Sequence, residues 1–536
     1  MSSSLSARPT PAQLRQSLLL GALALVLFVM GNYQQSVIGF DSRFVMFAQE
    51  MLRHGPSFFP TTYGEPYADY SATSTLFSYL LSLPFGQVTS LTAWLPTSIA
   101  SAVIVTLMYR LLAPFSTRWA LASVALLLLS VTFISETRAV SLDQMLAAVA
   151  FAVFYLGYAH DHFGAPRRLA GLFALLLLGF AIRGPIGLVV PTGMLCSYYL
   201  LSGQYRRLFA FGFAALALLG ICIGLLLWLA QLSGGAAFVQ DVIRMQVTGR
   251  IDGSEGSSSV VYYFTSSLGN YAMAYPLAIL AGLAVVLNRA QPRGPALRLL
   301  GFCAAAGLIV MVGLSIPMAK KARYMLPMLP MAAIIAAYPF QGAQGRVFAG
   351  LRALIQLIWL LLPALSIGGV LYAHKRFPEL VPPPAGLLGL LAALQLIAVA
   401  ALVKPGMRVV GPAACAVLAT WASYILVLEP AERGMYDTRQ FSQAVYRQVR
   451  QAPAPLVLYG MGKDAKAIKF MVNIDADLRP VFSDAPDQLA AQAGPAYVMM
   501  SDSDLRKLPP ATAALLAPVL SGMFDKDGYQ LLRLAP

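Results

Sequence analysis

Leu208-Phe-Ala-Phe-Gly-Phe-Ala-Ala-Leu-Ala-Leu-Leu-Gly-Ile-Cys-Ile-Gly-Leu-Leu-Leu-Trp-Leu-Ala-Gln231 contains no charged side chain, and Arg206 and Arg207 stand directly before it. A Lys, Arg or Asp at the centre of a bilayer costs about 2.5–3.5 kcal/mol on insertion scales, and roughly 20 apolar residues cross ~30 Å of hydrocarbon. The stretch reads as a membrane span. Working outward, the pattern recurs at 17–39, 91–109, 119–135, 142–159, 169–182, 186–201, 265–287, 299–316, 325–341, 353–372, 383–402 and 409–428, so that thirteen crossings are expected.

The bulk composition agrees. The chain is 58% hydrophobic and 11% charged over 536 residues, against roughly 25% charged in soluble proteins. Its net charge of +15 would suggest nucleic-acid binding in a soluble chain, but here the positive-inside rule accounts for it. With a cytoplasmic N-terminus, the short inside segments hold basic residues from Arg8 and Arg15 through Arg206 and Arg207 to Lys404 and Arg408, with Asp161 as their acid. Nucleic acid is therefore not an expected partner. The first span is too long for a signal-peptide core, and no small-x-small cleavage site precedes Asp41, so it is expected to stay as an anchor. Cys196, Cys222, Cys303 and Cys415 all fall inside spans and are expected as apolar packing residues, not disulfides.

The outside segments are unequal. In the first, 40–90, Phe44, Val45, Phe47, Ala48, Met51 and Leu52 recur at helical spacing, with Arg43, Gln49, Glu50 and Arg53 on the other face. This amphipathic helix, Asp41 to His54, is expected to lie flat on the membrane, followed by a Gly/Pro turn and a second stretch, Thr75 to Leu83. A further outside loop, 232–264, holds Arg244, Arg250 and a Gly/Ser-rich run that reads as mobile. After 428 the composition becomes that of a small soluble domain, 429–536. It has helical patterns at 438–451, 464–472 and 487–493 and strand patterns at 455–459, 496–500 and 529–533. Gly460-Met-Gly462-Lys463 lacks the rest of a phosphate loop and reads as a turn. The fold class is mainly α: a polytopic bundle, 1–428, with surface helices in 41–90 and a small C-terminal α/β domain, both periplasmic.

Candidate chemistry lies at the outer ends of the spans. Asp41 either caps the surface helix or acts as a carboxylate base, and the two roles are compatible. Asp69 adds a second acid beside Tyr67 and Tyr70. Glu136, Arg138 and Asp143 cluster between spans three and four; Arg183 interrupts spans five and six; Lys321, Arg323 and Tyr324 follow span nine. Cations on the outside run against the positive-inside bias. They either anchor to lipid headgroups or bind a specific anion such as phosphate.

The order and placement of these motifs resemble the GT-C membrane glycosyltransferases, most nearly the bacterial lipid A aminoarabinose transferase and more distantly the dolichyl-phosphate-mannose protein mannosyltransferases. The motifs are Asp41-Ser-Arg43, Gly64-Glu-Pro-Tyr67-Ala-Asp69-Tyr70, Arg138 with Leu142-Asp143, Arg183-Gly-Pro-Ile-Gly187, and Lys321-Ala-Arg-Tyr-Met-Leu-Pro327. The resemblance implies inverting transfer of one sugar from a polyprenyl-phosphate donor, here undecaprenyl phosphate, to a periplasmic lipid, polysaccharide or protein acceptor at a bacterial inner membrane. It assigns catalysis to Asp41 and Asp69, and the donor phosphate to Arg250, Lys321, Arg323, Tyr324 and Arg183. Arg43, Tyr67, Tyr70, Glu136, Arg138, Asp143, Tyr262 and Tyr263 would line the donor or acceptor pocket. Tyr70 replaces a phosphate-binding Lys of the aminoarabinose enzymes. Val247 and Thr248 stand where those enzymes carry a histidine, so a divalent metal has no ligand cluster here and no cofactor is assigned. The alternatives are a flippase for a lipid-linked saccharide, or a polymer ligase or oligosaccharyltransferase. Transporters favour midplane charges and internal repeats; this sequence shows neither.

Overall fold

The computed structural model describes residues 8–33, 35–39, 42–69, 71–166, 168–249, 252, 256–288, 294–490 and 494–534. Asp41, Tyr70, Arg250, Gly253 to Glu255 within the Gly/Ser run, and the end of the 487–493 helix lie outside them. The first ten helices are α1 Pro11–Val29, α2 Ser42–His54, α3 Thr73–Ser82, α4 Ser90–Leu112, α5 Thr117–Leu128, α6 Val131–Thr137, α7 Leu142–His162, α8 Leu169–Arg183, α9 Pro185–Leu201 and α10 Tyr205–Ile243. A two-stranded ribbon, β1 Thr61–Thr62 with β2 Glu65–Pro66, joins α2 to α3.

Each of the thirteen apolar runs contains helix, though not every run is one long straight helix. Among the described residues eight helices are long and apolar enough to span a membrane, or ten if two bent pairs each count as one, while Leu169–Arg183, Pro185–Leu201 and Ala322–Ala336 are shorter. At 1.5 Å per residue, the 15 residues of α8 reach about 22 Å. Exposed side chains along α10, including Phe209, Phe213, Leu216, Ile221 and Trp228, form an apolar surface that water would not tolerate. The central helix α7 packs on α4, α8 and α9.

Several span ends also move, for identifiable reasons. α1 ends at Val29, ten residues before the expected limit. There the buried Arg138 guanidinium donates through Nη1 to the Phe28 (2.9 Å) and Met30 (2.7 Å) carbonyls, satisfying acceptors that a helix end leaves open. The expected span 119–135 bends by 71° between α5 and α6, and 265–287 bends by 111° between Tyr262–Asn270 and Ala274–Leu287. Trp421 Nε1 donates to Leu128 O at the first break (2.9 Å), and Thr132 Oγ1 donates to Asn270 O (2.8 Å), tying the two breaks together. α10 continues to Ile243 with a break at Gly235 (φ +71°), so residues 232–243 are helical, not loop.

The C-terminal segment carries a five-stranded sheet in the order β4-β3-β5-β7-β6. Its strands are β3 Leu456–Tyr459, β4 Val481–Ser483, β5 Ala496–Ser501, β6 Leu516–Phe524 and β7 Asp527–Leu534. β3 pairs in parallel with β4 and β5, and β7 runs antiparallel between β5 and β6. Sequence patterns had indicated β3, β5 and β7 but neither edge strand. This unit covers α2: Gln49 Nε2 donates to Val472 O (3.1 Å), Arg53 pairs with Asp475, and Arg43 lies 3.6 Å from Asp464. Gln49 and Glu50, expected on a solvent face, are buried. The helix is thus sandwiched between protein layers, because its polar face finds partners in the C-terminal unit.

Candidate functional site

Asp143 lies in the first turn of α7, two residues past the Ser141 N-cap whose hydroxyl accepts from Gln144 N. A carboxylate here is favoured by the positive end of the helix dipole. Its Oδ1 accepts from Arg183 Nε at 3.0 Å and its Oδ2 from Arg323 Nε at 3.1 Å. Asp143 and Arg183 are both buried. Three segments far apart in sequence thereby meet on one carboxylate.

Arg183 is placed by a tight helix hairpin. α8 and α9 are separated by Gly184 alone, at φ +63°, a conformation that a side chain disfavours. Gly179 and Gly187 touch across the hairpin: a Cβ on Gly187 would sit 1.8 Å from the Gly179 carbonyl oxygen. The Arg183 guanidinium lies over the Tyr324 ring, 5.2 Å from its centroid, a cation–π contact. Pro327 and Pro330 explain why Ala322–Met328 forms a 3₁₀ turn before the helix proper: each removes a backbone donor.

Lys321 is exposed, with its ammonium partly shielded beside this cluster. Burial, then the charges of Arg323, Arg183 and Arg43, pull its ammonium below the usual lysine range, while Asp69 pulls the other way. Arg43, Asp69, Arg183, Lys321 and Arg323 thus share one electrostatic field. Asp69 is buried, and its carbonyl accepts from Gln246 of the segment following α10. Arg43 stacks over Tyr67, 5.0 Å from the ring centroid. Tyr263 is buried, and its ring stands 5.3 Å from that of Tyr262. Tyr271 OH donates to Ala322 O (2.7 Å), fixing the bent helix pair to the same strand of chain.

A cavity of about 240 Å³ opens on the cluster, with Glu136, Arg138, Asp143, Arg183 and Arg323 in its wall. Ile38, Gly39 and Phe44, the near neighbours of Asp41 in sequence, also line it. Arg138 serves chiefly as a tie: besides closing α1, it donates to Glu429 Oε2 through Nε (2.9 Å) and Nη2 (2.6 Å), and both side chains are buried. Arg433 completes this second group, donating to Glu429 Oε1 (3.2 Å) and stacking on Trp94 at 4.5 Å. The sequence reading missed Glu429, Glu432 and Arg433, which border the cavity; the signal available was charge at positions i, i+3 and i+4 directly after an apolar run. Arg244, by contrast, makes an exposed pair with Asp241 (3.0 Å). Among the described residues no group of three or more His, Cys, Asp or Glu side chains could hold a metal ion.

An apolar groove of about 510 Å³ runs away from the site between α3, α4, α7 and α8, lined by Phe77, Leu80, Ile99, Val103, Met145 and Ile182 among others. Ile182 adjoins Arg183, and Met145 lies two residues beyond Asp143. The polar cavity and the groove therefore share helices α7 and α8.

Residues 74–230 match the family model described as dolichyl-phosphate-mannose-protein mannosyltransferase. The crystal structure of ArnT from Cupriavidus metallidurans in the apo state superposes with a TM-score of 0.72 at 17% identity, covering 97% of this chain and 98% of that one. The same protein bound to undecaprenyl phosphate gives 0.71 at 17% identity, over 96% and 98%. No curated protein sequence matches significantly. Fold and family model converge with the motif order read from the sequence: the chain is a multi-span membrane protein of the GT-C fold, resembling the ArnT and dolichyl-phosphate-mannose-protein mannosyltransferase families.

Proposed function

We propose that this chain is a glycosyltransferase that moves a single sugar from a polyprenyl-phosphate donor, undecaprenyl phosphate in a bacterial inner membrane, to a periplasmic lipid, polysaccharide or protein acceptor with inversion. The observation that carries the reading is a polar cavity with the Arg183, Arg323 and Lys321 cluster at its edge, joined through α7 and α8 to an apolar groove, a match for a phosphate head on a long hydrocarbon tail. Over the whole cavity wall Arg138, Arg183, Arg323 and Arg433 balance Glu136, Asp143, Glu429 and Glu432. The positive charge left for an anion lies on the side of the cluster, where Arg43, Arg183, Lys321 and Arg323 outnumber Asp69 and Asp143. At about 240 Å³ the cavity is at the small end of ligand sites, which run roughly 300–1,000 Å³. That size suits one sugar better than a pre-assembled glycan.

In this reading Asp41 is the base. It takes the proton from the acceptor hydroxyl or amine as the acceptor atom bonds to the anomeric carbon. The bond from that carbon to the phosphate oxygen breaks, and the departing lipid phosphate keeps the electron pair. Lys321, Arg323, Arg183 and Arg250 hold the charge that develops there, and Asp69 positions the sugar. Tyr67, Tyr70, Tyr262 and Tyr263 shape the pocket, and the unit 429–536 caps it on the periplasmic side, with the N-terminus cytoplasmic.

Reconstituted vesicles test this. With lipid-extracted donor and acceptor on the same side, sugar transfer is expected, and Asp41→Asn is expected to slow it roughly 10²–10⁴-fold. Wild-type turnover by that variant would remove Asp41 from the mechanism, and donor crossing the bilayer without transfer would indicate a flippase.

A further inference from the structure

The end of the bundle opposite Asp143 carries clefts that sugar transfer does not use. α7 leads from the site at Leu142 to His162, 21 residues and about 30 Å away at 1.5 Å per residue. α5 starts at that same far end with Thr117 and leads through α6 to Arg138. Between the start of α5, the turn Tyr338–Gln341 and the start of the helix Arg346–Arg376 lies a cleft of about 710 Å³.

Three of its lining residues are Arg118, Arg346 and Arg352, and none is a carboxylate. Arg352 is fixed in the wall, its Nη1 donating to Pro339 O (2.9 Å) and Ala343 O (2.8 Å). Arg118 and Arg346 are exposed, and no described carboxylate forms an ion pair with either. Three guanidinium groups around one cleft repel one another unless an anion sits among them. Directly beside it the surface is apolar: Val347 and Leu354, seven residues apart on one face of the helix Arg346–Arg376, are 55% and 40% exposed. A free phosphate would satisfy the arginines but leave that flank unused.

The pattern repeats in a second cleft at the same end, about 740 Å³, lined by Asp161, Arg206, Arg207 and Arg298 among others. There Asp161 is already committed, accepting from Tyr198 OH, Gln204 Nε2 and Arg207 Nη1, each at 2.7 Å. Arg206 and Arg298 remain on the rim beside exposed Leu200, Leu201, Tyr205 and Phe209.

We propose that the Arg118, Arg346 and Arg352 cleft is a binding site for an anionic phospholipid of the leaflet opposite the catalytic cavity. The headgroup phosphate lies among the three guanidinium groups and the acyl chains lie along Val347 and Leu354. Basic pockets between membrane helices favour such headgroups, and each basic side chain is worth on the order of a five-fold change in affinity. The inference is independent of the transfer reading.

The test is native mass spectrometry of the full-length detergent-solubilised protein titrated with phosphatidylglycerol or phosphatidylcholine. Wild type is expected to bind phosphatidylglycerol in preference. Arg118→Gln/Arg346→Gln is expected to weaken the affinity of that site about 25-fold, whereas Arg15→Gln/Lys404→Gln, which removes two charges at the same end outside the cleft, leaves it unchanged. Should the cleft double variant fail to fold, Arg346→Gln alone, with a roughly five-fold loss, answers the same question. Equal binding of both lipids, equal loss in the control variant, or wild-type affinity in the cleft variant overturns the site. Stabilisation by inorganic phosphate equal to that by phosphatidylglycerol assigns the cleft to the free ion and overturns it as well.

Discussion

Arg138 and Arg183 are both buried, both bonded to a carboxylate and both at the same end of the bundle, yet their surroundings differ in kind. Arg138 spends its donors on Glu429 and on two carbonyls at the end of α1, so its charge is consumed by the architecture. Arg183 shares Asp143 with Arg323 beside a third cation, Lys321, and that group keeps an excess of positive charge facing a cavity. What separates a structural ion pair from a candidate binding site here is the balance of charge and the partners left over, since residue type and burial are alike.

The largest expected effect tests the structural group. Glu429→Gln leaves the Arg138 guanidinium buried without its counter-charge and should cost about 3–5 kcal/mol, read as a lower unfolding temperature in detergent. Asp143→Asn should unfold closer to wild type, because the Arg323 side chain is 19% exposed and can be solvated, whereas those of Arg138 and Glu429 are 0% and 3% exposed. The reverse ranking would exchange the roles of the two groups.

A smaller effect sharpens the chemical group. Lys321 holds its proton less firmly than the ordinary lysine value of 10.5, and a bound phosphate would favour the charged form. Affinity for undecaprenyl phosphate should therefore fall as pH rises through that lowered value. The ligand-free protein should gain stability between it and 10.5, where the unfolded chain binds the extra proton. Titrations from neutral to alkaline pH would show the fall, and Lys321→Arg should flatten it; a fall unaltered in that variant would assign it to another group.

The smallest effect concerns contacts over the first loop. Lys463 and Glu65 are 3.1 Å apart but more than 60% exposed. Lys463→Ala should change stability by no more than about 1 kcal/mol, and less in salt. A larger loss, measured by thermal unfolding, would mean that the C-terminal unit holds α2 through this pair.

The apolar runs were legible because lipid excludes charge residue by residue, a purely local constraint. Their ends were not, because distant partners set them: α1 stops where Arg138 reaches its carbonyls, and α5 breaks where Trp421 takes the Leu128 carbonyl. The amphipathic pattern of α2 gave its helix correctly, while the cover over Gln49 comes from Val472 and could not be read nearby. β6 escaped notice because it is an edge strand interrupted by Pro518, with a register shift before Leu520. The gathering of Asp143, Arg183 and Arg323 was expected from charges at the outer ends of successive spans. The second group around Glu429 was not, since its residues looked like the start of a soluble domain.

The central claim is that Arg183, Lys321 and Arg323, the first and last oriented by Asp143, hold a lipid phosphate together with Arg250. The most direct measurement is the affinity of the full-length protein for undecaprenyl phosphate, compared between wild type and Arg323→Gln. The account predicts saturable binding weakened roughly 10–100-fold by the substitution, the range for losing a charge-assisted hydrogen bond, with the unfolding temperature of the ligand-free protein little changed. Equal affinity in the two proteins would contradict it.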